Sequence, residues 1–125
     1  EEYAETKNLL GRALVILSGP ARGPEDAANL KRAIRAFEEA LTIRTQEASP
    51  LDRAETQNNL GIAYRNLSRL EDREVNLERS ILAYEEALRA RSGAAKKKAE
   101  EKVERVEEES EGKEGEGEEL RAEGE

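Results

Sequence analysis

Two stretches of this chain occur twice, in the same order but at different spacings, and few folds satisfy that. Ala4-Glu5-Thr6-Lys7-Asn8-Leu9-Leu10-Gly11 returns 50 residues later as Ala54-Glu55-Thr56-Gln57-Asn58-Asn59-Leu60-Gly61. Asn29-Leu30-Lys31-Arg32-Ala33-Ile34-Arg35-Ala36-Phe37-Glu38-Glu39-Ala40-Leu41 returns 47 residues later as Asn76-Leu77-Glu78-Arg79-Ser80-Ile81-Leu82-Ala83-Tyr84-Glu85-Glu86-Ala87-Leu88. The two blocks read as a helix pair whose joining segment changes length. Such a pair cannot bury its apolar side alone, so copies stack on one another. The expected fold is therefore all-α: an α-solenoid of two antiparallel helix pairs, over residues 1–47 and 48–93. A charged helix over 94–110 and an acidic Gly/Glu tail over 111–125 follow.

Local patterns place the helices. Leu10, Ala13, Leu14 and Leu17 recur at i, i+3, i+4 and i+7, predicting a helix over 2–18 with those residues inward. Gly19-Pro20 ends it, because Pro cannot continue the hydrogen-bond ladder. Pro24, with Glu25 and Asp26 behind it, opens a second helix over 24–46 that buries Leu30, Ile34, Phe37 and Leu41. Ser49 is placed to cap a third helix, from Pro50 to about Ser68, presenting Leu60, Ala63, Tyr64 and Leu67. A fourth, over 72–92, presents Leu77, Ile81, Tyr84 and Leu88 and stops at Gly93. Beyond it Ala95, Ala99, Val103 and Val106 make a thin stripe supported by weak i, i+4 ion pairs. From Glu111 the Gly/Glu mixture has almost nothing to bury and reads as disordered.

Charge divides at the same place. Residues 1–99 hold 17 Lys/Arg against 16 Asp/Glu, whereas residues 100–125 hold 4 against 13. Acidity is thus a property of the tail, and the near-neutral body carries no long basic run, which argues against nucleic acid as a partner. No apolar run approaches the roughly 20 residues of a spanning helix, so no membrane partner is expected. With neither His nor Cys, the commonest general base and the strongest nucleophile are both missing. No catalytic residue, cofactor site or metal site is expected. The first residue is Glu1, not Met, so a processed form or a fragment is expected, and the compartment stays open between cytoplasm and secretion after processing.

Leu-Gly-x-x-Tyr in one helix followed by Ala-x-x-x-Phe/Tyr-x-x-Ala-Leu in the next resembles the tetratricopeptide repeat. Leu60, Gly61, Tyr64, Tyr84, Ala87 and Leu88 carry the resemblance in the second copy, with Ser80 in place of Ala. Leu10, Gly11, Ala33, Phe37, Ala40 and Leu41 carry it in the first, with Leu14 in place of Tyr. The family period is about 34 residues, so the longer spacings here imply longer helices and an enlarged loop within each pair. In this they are similar to the long repeats of bacterial multi-repeat proteins, some of which carry a caspase-like protease domain that this chain lacks.

The resemblance implies a concave groove that receives extended peptides, and it puts Asn8 and Asn58 there, with Arg12 and Arg65 on the same faces. Asn suits a peptide backbone and Arg a carboxylate. The competing reading makes Asn8 and Asn58 a structural ladder between helices. The first helix also carries more apolar residues than one seam needs, and Leu9, Val15 and Ile16 are the candidate stacking interface. The expected function is a non-enzymatic scaffold that binds protein, its own copies included, by end-to-end stacking into a homo-oligomer or filament. The alternatives are a peptide-binding adaptor and a part of a larger multi-repeat signalling protein.

Overall fold

The computed structural model describes the backbone of residues 1–45 and 47–123 and the side chains of these as far as residue 112. Its described residues form four α-helices, α1 (Glu2–Ser18), α2 (Pro24–Leu41), α3 (Pro50–Leu67) and α4 (Arg73–Glu123), and no strand. The chain divides into two compact units, Glu1–Gly93 and Ala94–Glu125.

In the first unit each helix runs antiparallel to the one before it. Tyr3 and Lys7, early in α1, both reach Glu39, late in α2, at 3.0 and 2.8 Å. Arg44 just past α2 bonds Thr56, whereas Lys31 on α2 pairs with Glu71 just past α3. Ser80 of α4 donates to the carbonyl of Gly61 on α3 at 2.7 Å. The two glycines explain how closely the members of each pair approach. A Cβ at Gly11 would sink into the Phe37 ring, and a Cβ at Gly61 would come within 2.8 Å of the Tyr84 ring. An aromatic ring at the equivalent position, Phe37 or Tyr84, lies over the equivalent glycine in both copies, so the recurrence in sequence is a recurrence in packing.

The buried apolar set is unusually small-grained. Of eighteen buried apolar side chains among the described residues, twelve are alanine, and the large ones are Leu14, Leu30, Ile34, Phe37, Leu60 and Leu67. Ala21 sits in the core cluster although its backbone has φ 54, a conformation an L residue adopts only where its surroundings hold it.

Several expectations change. The inward face of α1 is Ala4, Asn8, Gly11, Leu14 and Ser18, while Leu10, Ala13 and Leu17 are exposed. In α4 the inward stripe is Asn76, Ser80, Ala83, Ala87 and Ala90; Ile81 and Leu88 are exposed. α2 ends at Leu41, not at 46, as the Thr42 hydroxyl takes the Glu39 carbonyl and the chain turns to send Arg44 inward. Gln46 itself lies outside the described residues. Ser49 stands at the N-cap of α3 but makes no side-chain capping bond. The loop inside each pair, 19–23 and 68–72, is short; the extra length lies in the helices and in residues 42–49.

α4 runs through Gly93 without a stop. A helical Gly costs only about 1 kcal/mol, and extending a formed helix avoids the cost of nucleating a new one. Thus no separate helix begins at 94. In the second unit every described side chain from Ala95 to Gly112 is exposed. The expected acidic tail over 111–125 lies, from residue 113 on, outside the described side chains; its backbone continues α4 as far as Glu123.

Candidate functional site

α1 and α3 run side by side in the same direction and share a polar seam. Asn8 is fully buried, donates to Glu55 Oε1 at 3.2 Å, and accepts from the Thr56 hydroxyl and the Asn59 amide, both at 3.2 Å. Arg44 enters from beyond α2 and donates to Thr56 Oγ1 at 3.0 Å and to Glu1 Oε1 at 3.2 Å, with a closer contact to Glu5. Arg53 in turn donates to the Arg44 carbonyl at 3.0 Å. Burial alone would lower the Arg44 pKa, but the Glu5 and Glu1 carboxylates outweigh it and hold it above the ordinary value, so the guanidinium stays charged. Among the described residues its Nε has no hydrogen-bond partner. The Asn8 amide is thus bonded inside the protein and is not open to a peptide, a geometry that favours the structural ladder over the groove. A buried amide is kept where its bonds are made inside the protein.

The other groove candidates are spread. Arg12 is exposed and lies 4.0 Å from Glu55. Beside it, Val15, Ile16, Asn59 and Ile62 frame a hollow of about 230 Å³ between α1 and α3. Arg65 is exposed further along α3. Asn58, the repeat equivalent of Asn8, is half-buried, and its side chain makes no hydrogen bond among the described residues.

Of the stacking candidates, Leu9 and Ile16 are exposed, while Val15 is half-buried and packs on the core cluster, so it belongs to the internal seam. Leu10 and Leu17 take its place on the bare face. Comparison of equivalent positions shows why that face is bare. Leu60 and Leu67 of α3 are 7 % and 3 % exposed, whereas their counterparts on α1, Leu10 and Leu17, are 42 % and 69 % exposed. Ile34 of α2 is 7 % exposed and shares the core cluster with Leu67, on which Tyr64 also packs, whereas its counterpart on α4, Ile81, is 55 % exposed. Leu41 packs on the core; Leu88 does not. α3 covers α2, but among the described residues of the first unit no helix covers that face of α1 or of the first part of α4 in the same way.

The sequence reading missed Arg44. Its signal was present, since Glu5, Thr6 and Arg44 recur at the repeat spacings as Glu55, Thr56 and Arg91, outside or at the rim of the apolar stripes.

Glu39 holds Lys7 and the Tyr3 hydroxyl together across α1 and α2. The Lys7 hydrogen bond, then that of Tyr3, lowers the Glu39 carboxyl below its usual 4.5. Its contribution to stability is present above that value and fades as the pH falls through the lowered one. Among the described residues no group of acidic side chains could hold a metal ion, and no helix is long and apolar enough to cross a membrane. No family model, curated protein or solved structure matches this chain.

Proposed function

We propose that the chain is a non-enzymatic, tetratricopeptide-like repeat scaffold that acts by binding protein, its own copies first, through end-to-end stacking. The observation that carries this reading is the pair of bare aliphatic faces, Leu9, Leu10, Ile16 and Leu17 on α1 and Ile81, Leu82 and Leu88 on α4. Apolar patches of that kind on a soluble protein mark interaction surfaces. They lie at opposite ends of the α1–α4 order, so stacking joins unlike faces and closes into a ring or grows as a filament. The hollow beside Arg12 and Ile62, with Arg65 beyond it, supports a second reading as an adaptor for an acidic peptide.

Sedimentation velocity over a wide concentration range tests the first reading. The wild type is expected to grow in mass with concentration. Ile16→Lys with Leu17→Lys should keep its helical circular dichroism, because both residues are exposed in the single chain, yet remain monomeric, because a buried unpaired ammonium is strongly unfavourable. A wild type that stays monomeric at the highest concentration removes the self-assembly reading and leaves the adaptor.

A further inference from the structure

We infer that the bare ends are the two halves of an interface the chain already contains: the α4 face of one copy receives α1 of the next copy as α2 receives α3. This rests on the end-to-end reading above and adds the register. The occupant follows from the repeat. Leu10 and Leu17 stand where Leu60 and Leu67 stand on α3, and Ile81 and Leu88 stand where Ile34 and Leu41 stand on α2. Leu60, Leu67 and Ile34 are buried inside the chain and Leu41 is half-buried against the core, so the complementary shape for these four bare positions is a second copy of this chain.

A polar observation, independent of the aliphatic one, fits the same register. Asn8 is satisfied by Glu55, Thr56 and Asn59 of the next repeat's first helix. The side chain of Asn58, its equivalent, is half-buried and makes no hydrogen bond among the described residues. In the proposed register the incoming α1 brings Glu5 and Thr6, the counterparts of Glu55 and Thr56, to Asn58. The third counterpart, Leu9, replaces Asn59 and adds apolar area. A half-finished ladder inside one chain is thereby continued between chains. An amide that needs partners at one place penalises slipped registers more than aliphatic contact does.

The absence of cysteine makes the register directly readable. Leu17→Cys and Ile81→Cys are prepared as separate full-length chains, mixed above the association concentration, and treated with a short bismaleimide linker. The mixture is expected to give a covalent dimer of one chain of each kind, while neither variant alone gives one. Self-linking of either variant would show a symmetric contact and overturn the inference. Association seen by sedimentation in the mixture without cross-linking would mean another register and overturns the inference while sparing the end-to-end reading. A mixture with no association at all removes that reading, and this one with it. Asn58→Ala should leave the melting temperature unchanged and weaken association roughly 3- to 10-fold, the size of one hydrogen-bonded group. Unchanged association in that variant would also overturn the register, because Asn58 would then not be at the contact.

Discussion

Gly11→Leu should lower the stability of the first unit by about 2–3 kcal/mol, a fall in melting temperature of roughly 10–20 °C for a domain of this size. The first methylene of the new side chain already meets the Phe37 ring, with three ring carbons at or within 2.7 Å. Phe37 is fully buried in the core cluster between α1 and its neighbours, so shifting its ring, even toward the hollow it borders between α1 and α3, means repacking that cluster. The gain of up to about 1 kcal/mol from replacing a helical glycine is too small to offset that overlap. Gly61 gives the internal control. Its neighbour Tyr84 is only half-buried, so the ring can swing outward, and Gly61→Leu should cost about 1–2 kcal/mol. Thermal melts of both variants decide the matter; equal costs would mean that Phe37 is not confined by the following helix.

Arg44→Ala is expected to cost about 2–3 kcal/mol, measured by urea unfolding. The guanidinium is 1 % exposed while its partners Glu1 and Glu5 are about half-exposed, so the ionic part is screened and the larger share is lost packing and the bond to Thr56. Arg44→Lys should recover less than half of the loss, because an ammonium is a single point of donation and cannot reach Thr56 and both carboxylates as the planar fork does. A stability insensitive to Arg44→Ala would mean that the seam between α1 and α3 does not hold the two repeats together.

The all-helical character and the helix order were legible because they depend on short-range signals: the recurrence, Pro24 and Pro50 at helix starts, and Gly19-Pro20 at a stop. Which face of α1 and α4 turns inward was not. Helical spacing picks out the richest aliphatic stripe, but the close approach at Gly11 and Gly61 selects the side that carries Ala, Ser and Asn. On α1 and α4 the richest aliphatic stripe therefore stays exposed. Similarly, Asn8 reads equally well as a ligand contact or a ladder rung until α3 is seen beside it, since an amide offers the same donor and acceptor in either setting. Gly93 was misleading because glycine ends a helix only where the backbone also turns.

The alanine-rich interior has a calorimetric consequence. Heat-capacity change on unfolding rises with apolar area exposed and falls with polar area, about +0.45 and −0.26 cal/K/mol/Å². Twelve buried alanines contribute little of the first, while the helical backbone contributes fully to the second. Unfolding of the isolated chain should therefore fall below the usual 12–15 cal/mol/K per residue or so, by differential scanning calorimetry, giving a broad and shallow stability curve. In the proposed assembly the exposed aliphatic side chains of α1 and α4 are the ones buried between copies, so the steeper temperature dependence is expected in association and not in folding, and cooling should weaken association before it unfolds the helices.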